Sequence, residues 1–322
     1  MRLLVTGGAG FIGSNFVRRI LEGHILGIES IIVLDKLTYA GSLNNLRQLP
    51  IESFEFIKGD ICDSATVSKL ISRVDGVINF AAESHVDNSI VNATDFVQTN
   101  VAGVQVILDA IKESQKSIRF LQVSTDEVYG SIESGSWKET EPLLPNSPYS
   151  ASKAAGELIA RSYFKTHELD VVVTRCSNNY GPYHYPEKLI PLFITNLIEK
   201  KRIPIYGNGQ NIRDWLHVND HCDALSAVLL KAAPGSIYNI GGGEELTNLE
   251  ITSKILSLVG ASNSSIEYVK DRKGHDFRYS VDWKKIERDL GYQPKVSFNQ
   301  GLKDTVNWYQ ENQEWWKPLK KF

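Results

Sequence analysis

An α/β architecture, a doubly wound parallel sheet followed by a smaller C-terminal α/β lobe, is what the 322 residues predict, and three features carry the prediction. Short apolar runs of strand length alternate with helical patterns through the first half, the signature of βαβ units. The first run ends in a glycine turn that opens a helix. Later runs end in polar or acidic residues, and in an open parallel sheet ligands bind outside the carboxyl ends of the strands.

The totals narrow the function classes. A chain of 322 residues exceeds the usual single-domain size, so one large domain with an appendage is expected. Its 42% hydrophobic and 23% charged residues are ordinary for a globular protein. A net charge of -3 gives no concentrated basic surface for nucleic acid. Cys62, Cys176 and Cys222 are widely spaced and form no CxxC pair, so neither a disulfide framework nor a metal site is suggested and a reducing cytoplasm is expected. The apolar start, Leu3 to Val5, runs straight into glycines, as a first strand does and a signal peptide does not. No apolar stretch approaches the roughly 18 residues needed to span a bilayer.

Taken in order, Arg2–Thr6 reads as a buried strand, Gly7–Gly13 as a turn, and Phe16, Val17, Ile20 and Leu21 as the inner face of a helix. This is a Rossmann-like opening: glycines let backbone N–H groups approach a pyrophosphate, whose charge the helix N-terminus favours. Gly7, Gly10, Phe11, Ile12 and Gly13 are therefore cofactor candidates, although a glycine turn alone also occurs as a purely structural feature. A second strand, Ile31–Leu34, ends at Asp35, at the distance expected of a ribose-binding carboxylate. Asp35 would accept the adenosine ribose hydroxyls and repel a 2′-phosphate, which favours NAD over NADP; the neighbouring Lys36 argues the other way. Phe54–Ile57 leads to Gly59-Asp60-Ile61, where an acid can meet the adenine. Val77–Ala82 ends in Ala81 and Ala82, small enough for close approach of a cofactor. Ser84-His85-Val86-Asp87 follows on the same edge, and His85 alone reads as a structural hydrogen-bonding residue. Val97, Val101, Val104, Ile107, Leu108 and Ile111 have helical spacing, interrupted by Thr99 and Asn100, which are placed to touch the cofactor.

The fifth run, Phe120–Val123, delivers Ser124, Thr125, Asp126 and Glu127 to the sheet edge. A loop rich in proline and serine spans 131–148, and a helix starts near Tyr149, which shares a face with Lys153 four residues on. Asp170–Arg175 is a sixth strand. From Cys176 the chain turns polar and reads as substrate-binding insertion more than sheet. A helix from about Val218 to Lys231 and a strand at Ile237–Ile240 return to the first domain. The division is thus 1–175 for the dinucleotide domain, with 216–242 returning to it, and 176–322 for a substrate-binding lobe that ends in a Trp-rich tail.

A tyrosine with a lysine on the same helical face can serve as general base for an alcohol being oxidised. Bringing a phenol from its ordinary value near 10 toward neutrality takes about 4 kcal/mol, which an ammonium roughly 4 Å away supplies at an effective dielectric of about 20. YxxxK by itself is a common chance pattern; the glycine turn and strand-end Thr125 turn the balance toward dehydrogenase chemistry. Asp126 and Glu127 read as a helix cap and a solvated acid, or as an acid–base pair. In the second reading, oxidation of one sugar carbon to a ketone acidifies the neighbouring C–H. One carboxylate then removes that proton while the other acid protonates a departing hydroxyl.

With these residues in view, the chain resembles the extended short-chain dehydrogenase/reductases, and within them the dTDP-glucose 4,6-dehydratases. The likeness runs through Thr6–Gly13, Ala81–Asp87, Thr125–Gly130, Tyr149–Lys153, Asn178–Pro182, Glu187–Pro191, Arg213–Trp215 and Asp271–Asp276. The Thr-Asp-Glu triplet is the specific motif, because sugar 4-epimerases of this fold usually lack both acids. The resemblance implies tightly bound NAD regenerated in each turnover. It gives Tyr149, Lys153 and Thr125 to oxidation at C4, Glu127 to the C5 proton and Asp126 to the departing 6-hydroxyl. It also implies that Ser84, Asn178, Glu187, Lys188, Leu189, Arg213, Asn248, Arg272 and His275 contact the nucleotide-sugar substrate, that Thr38, Thr99 and Asn179 contact the cofactor, and that two subunits pair through a four-helix bundle built from the helices containing Thr99 and Tyr149. Asn88 departs from the family, which commonly has arginine after His-Val-Asp. A 4-epimerase, a dehydratase of another nucleotide-linked hexose and a noncatalytic NAD sensor are the competing readings.

Overall fold

Residues 1–320 are described by a computed structural model. Its strands are β1 (Arg2–Thr6), β2 (Ser30–Asp35), β3 (Glu55–Lys58), β4 (Gly76–Asn79), β5 (Arg119–Thr125), β6 (Val171–Cys176), β7 (Asn178–Tyr180), β8 (Ile203–Tyr206), β9 (Ile212–His217), β10 (Ile237–Ile240), β11 (Glu245–Thr247) and β12 (Ile266–Val269). Seven of them form one parallel sheet in the order β10-β6-β5-β4-β1-β2-β3. The apolar runs are buried on both faces, as parallel sheets covered by helices require. Side chains alternate between two cores: Leu3, Val5, Val33 and Leu121 pack on one face with Phe16 and Leu225. Leu4, Leu34, Val77 and Phe120 pack on the other with Val104 and Ile107.

The chain leaves β1 in one direction and β4 in the other, so a crevice opens at the carboxyl ends of these two strands. Behind it a buried polar ladder crosses three strands: the Thr6 hydroxyl donates to Asn79 Oδ1 at 2.5 Å, and Asn79 Nδ2 donates to Gln122 Oε1 at 2.9 Å.

Two helices bring residues to this edge. Pro148–His167 starts from a capping box in which Ser147 and Ser150 bond reciprocally, with proline at the first helical position. The other runs from Thr94 to Glu113 and passes through a π-helical stretch, Gln98–Gly103, at the point where Thr99 and Asn100 break the apolar spacing. Asn100 is buried there, accepting from the Glu83 amide at 2.9 Å and donating to the Glu83 carbonyl at 3.0 Å and to Ser152 Oγ at 2.9 Å. Gly156 permits the contact, since a Cβ on it would lie 2.2 Å from the Asn100 carbonyl oxygen.

Beyond Cys176 the expectation of polar insertion more than sheet needs correction. Five short strands lie there outside the main sheet, as β11-β9-β7 and the pair β12-β8. Strands of three to six residues with sequences such as Asn-Asn-Tyr carry no alternation, and only pairing with distant segments makes them strands. Phe193, Ile194, Trp215, Ile255, Phe298 and Trp316 form the core of this region. Among the described residues no helix is long and apolar enough to cross a membrane.

Candidate active site

One cleft of about 540 Å³ runs from the glycine turn to the segment around Arg272, and every residue singled out as a cofactor, catalytic or substrate candidate lines it except Asn100. The Asn100 side chain is taken up by the Glu83 backbone and Ser152 and so does not reach the cofactor site. At its first end, Gly7 has φ +68° and a Cβ there would sit 2.5 Å from the Ala81 amide nitrogen; one on Gly13 would sit 2.4 Å from the Gly7 carbonyl oxygen. Turn, helix and β4 therefore meet at a distance only glycine allows, and the backbone is open to a ligand. Asp35 is buried, its two oxygens accepting from the Ala9 amide at 2.9 Å and the Leu37 amide at 2.8 Å. Burial raises its pKa and these two bonds oppose the rise. Lys36 pairs with Asp60 at 2.7 Å. Its charge is thus neutralised within the protein, and the argument it offered for a 2′-phosphate weakens. Thr38, Ile61, Ala81, Ala82, Thr99 and Asn179 line this portion. An open-backbone turn at a helix N-terminus with a buried acid after the second strand fits an NAD dinucleotide.

At the middle of the cleft β5 ends. Thr125, and not Asp126, caps the following turn of 3₁₀ helix, its hydroxyl accepting from the Glu127 amide at 3.3 Å, so the reading of Asp126 as a cap falls. Both acids are thereby released into the cleft. The Thr125 hydroxyl donates to Asp126 Oδ1 at 3.2 Å, while Asp126 Oδ2 is buried without a partner. Burial, then the charges of Glu127 and Asp214, push Asp126 well above the usual carboxylate range. Burial also raises Glu127, but Arg272, Arg213 and Lys188 all pull it down. The two neighbours thus occupy different electrostatic surroundings.

Tyr149 and Lys153 face them from the helix, and their state differs from the expected phenol–ammonium coupling. Burial, followed by the charges of Glu127, Cys176 and Asp126, holds Tyr149 well above its ordinary value. Lys153 donates to the Val123 carbonyl at 2.7 Å, and burial pushes it down to about 8. The lysine is fastened to the strand, so the low dielectric and the acids dominate the phenol.

The far end is assembled from distant segments. Lys188 Nζ donates to the Ser84 carbonyl at 2.9 Å. Glu187 lies 3.7 Å from His85 Nε2, and His85 caps the next helix by accepting from the Asn88 amide at 3.3 Å, which places Asn88 on the exposed side. His275 Nδ1 meets Asp271 Oδ1 at 2.6 Å, and Arg272 stands 4.0 Å from Asp87. Arg213 is held over the Tyr279 ring at 4.4 Å and donates to the carbonyls of Ile212, Asp276 and Phe277 at 2.7, 2.9 and 3.3 Å. Leu189, Asn178 and Asn248 complete this part of the lining. Of thirteen buried side-chain polar atoms without a partner among the described residues, eight belong to cleft residues, including Asn178 Oδ1, Glu187 Oε1, Asn248 Oδ1 and Arg272 Nε. Buried polar groups are normally satisfied, so this concentration marks a ligand site.

Sequence reasoning passed over Ser177, His184, Tyr185 and Tyr206, and gave Trp215 no role of its own, although all line the cleft. His184 stacks on Phe11 with centroids 4.1 Å apart and an interplanar angle of 12°. Only the aromatic run Tyr183-His184-Tyr185 inside a polar loop hints at it.

Comparison with known proteins agrees with this geometry. Residues 4–305 match the family model described as GDP-mannose 4,6 dehydratase. A dTDP-glucose 4,6-dehydratase of Streptomyces niveus is 53% identical over 99% of this chain and 96% of its own. The crystal structure of DesIV, a dTDP-glucose 4,6-dehydratase of Streptomyces venezuelae with NAD and dTDP bound, superposes with a TM-score of 0.98 at 54% identity, covering 99% of this chain and 100% of that one. A UDP-glucose 4-epimerase of Thermotoga maritima shares the fold at a TM-score of 0.89 and 28% identity, over 97% of this chain and all of its own. With a family model spanning most of its length and relatives above half identity end to end, the chain belongs to the nucleotide-sugar 4,6-dehydratase family of short-chain dehydrogenase/reductase enzymes.

Proposed function

We propose that the protein converts dTDP-glucose to dTDP-4-keto-6-deoxyglucose, a redox-neutral loss of water that feeds deoxysugar biosynthesis. The observation that carries the reading is the pair Asp126 and Glu127 set beside Tyr149 and Lys153 in one cleft. Bound NAD supplies reversible storage of a hydride. Tyr149, held as a neutral phenol by burial, would act as the base once its phenolate is favoured by the positive charge of the bound nicotinamide together with that of Lys153. It would then take the proton of the 4-hydroxyl, Thr125 would hydrogen-bond the 4-oxygen, and Lys153 would also bond the cofactor ribose. Glu127, raised by burial but drawn back toward ionisation by Arg272, Arg213 and Lys188, which Asp126 lacks in that number, is the one of the two acids suited to remove the C5 proton. Asp126, buried and beside another acid, keeps its proton and delivers it to the departing 6-hydroxyl. Environments that push two carboxyls apart assign acid and base. A 4-epimerase would leave both acids without work.

Ser84, Asn178, Glu187, Lys188, Leu189, Asn248, Arg272 and His275 would hold the nucleotide sugar, with the unpartnered atoms among them finding their bonds in it. Arg213, tied to three carbonyls, would act through its charge on the diphosphate and the acids. The turn residues Gly7, Gly10, Phe11, Ile12 and Gly13 would hold the pyrophosphate, Asp35 the ribose, and Asp60 and Ile61 the adenine. Residues 1–175 with 216–242 form the cofactor domain in this scheme, and the remainder the substrate lobe. Val97 and Leu158, large apolar side chains about half exposed on the helices that carry Thr99 and Tyr149, supply a homodimer face. Sedimentation as a monomer at micromolar concentration would refute that assembly.

The test is incubation of the purified protein, without added cofactor, with dTDP-glucose and separately with UDP-glucose, followed by mass spectrometry. Loss of one water from dTDP-glucose alone is the expected result. An unchanged mass with both sugars, persisting after NAD is added, would remove the dehydratase assignment.

A further inference from the structure

The Trp-rich tail has no part in the chemistry above, yet its polar atoms reach the cofactor turn by two routes. Trp315 Nε1 donates to Asn45 Oδ1 at 2.8 Å across 270 residues of chain. Asn45 is buried and passes the contact on, its Nδ2 donating to the Ala9 carbonyl at 2.8 Å. Arg18, from the helix that the turn opens, donates to the Asn45 carbonyl at 2.9 Å and covers the Tyr183 ring at 4.6 Å. In the second route the fully buried Tyr309 donates its hydroxyl to the His184 carbonyl, and the His184 ring lies flat on Phe11. The two routes end at Ala9 and Phe11, on either side of Gly10. Both start from one aromatic cluster, since Trp315 packs against Trp308 at 5.0 Å and Tyr309 at 6.2 Å.

The loop carrying His184 thereby lies over the start of the first helix, and Asn15 adds a bond to its Pro182 carbonyl at 3.0 Å. Ala9 also donates its amide to Asp35. A continuous chain of bonds thus runs from the tail through Asn45 to the acid after the second strand.

We propose that the C-terminal aromatic cluster braces the glycine turn and the loop over it, so that NAD stays in place through successive turnovers. The inference rests on the reading of NAD as a resident cofactor. A hydride that must be stored and returned within one cycle gains nothing from cofactor exchange. Because Gly10, Phe11, His184 and Tyr185 line one cleft, separation of the turn and the loop would ease the departure of a dinucleotide held there. The brace opposes that separation from behind, without touching the substrate.

Tyr309→Phe removes a single donor and keeps the ring, and Trp315→Phe removes the indole donor while leaving a smaller aromatic ring in the cluster. Full-length protein loaded with NAD is chased with a large excess of a fluorescent NAD analogue, and the release rate is followed beside the melting temperature. Each variant should release NAD roughly threefold to tenfold faster, the range set by one hydrogen bond, and the double variant faster still, with melting temperatures near that of the parent. Unchanged release in folded variants, or a lowered melting temperature with unchanged release, overturns the brace while NAD residence stands. A parent protein that holds no NAD overturns the resident cofactor, and the brace with it. Should one variant fail to fold, the other gives the same reading.

Discussion

The two ends of the cleft are built on opposite principles. At the cofactor end the acids are already satisfied: Asp35 accepts two backbone amides, and Asp60 accepts the Cys62 amide at 3.0 Å and pairs with Lys36. At the substrate end Asp126, Asn178, Glu187, Asn248 and Arg272 each keep a buried polar atom with no partner. A satisfied site is rigid and holds its shape with or without a guest. An unsatisfied one keeps desolvated groups ready to bond a ligand that fits, each at a cost of about 1–3 kcal/mol while unpaired. The contrast matches the division of labour proposed here, a cofactor that stays and a substrate that is exchanged.

The comparison breaks most completely at Glu127. Glu127→Gln removes the base and should lower turnover by about 10²–10⁴-fold, while C4 oxidation continues and reduced cofactor accumulates, visible by its near-ultraviolet absorbance. Full turnover in this variant would take Glu127 out of the mechanism. The next effect is in pH. Lys153, pushed down to about 8 by burial, is cationic below that pH and neutral above it, so turnover should fall as pH rises through about 8. Glu127, raised by burial, must be ionised to act, so the acid limb should lie above the ordinary carboxylate value, turnover being lost as pH falls through it. A rate that stays flat well into the alkaline range would dissociate Lys153 from the reacting alcohol. The smallest effect belongs to the satisfied end. Lys36 is more than half exposed, and after solvent screening Lys36→Ala should change stability by no more than about 0.5 kcal/mol, leaving the preference for NAD over NADP intact. Thermal melts and a competition assay check this; a selective loss of NADP affinity would give Lys36 to a 2′-phosphate.

Much of this was legible along the chain. The glycine turn, Asp35, the Thr125-Asp126-Glu127 triplet and the Tyr149-Lys153 face are local patterns set by strand ends and helical spacing, and the structure brings them to one edge. The substrate half was legible only as motifs. Its strands are too short to show a period, and the π-helical stretch around Thr99 and Asn100 registers in sequence as no more than an interruption. Thr125, not Asp126, proved to be the cap because the hydroxyl sits one residue before the turn, a choice that residue order leaves open.

By itself, then, the sequence determined the central sheet and the chemical groups at its carboxyl edge, because apolar periodicity and glycine conformation act over a few residues. The tertiary structure alone decided how those groups behave. Lys188, Arg213 and Arg272 arrive from three separate segments to oppose the rise that burial imposes on Glu127, while Asp126 beside it is raised by burial, by Glu127 and by Asp214. Trp315 finds Asn45, and His184 finds Phe11, through packing between opposite ends of the chain. Electrostatic fields and dielectric depend on distances in space, and no spacing along the chain specifies them.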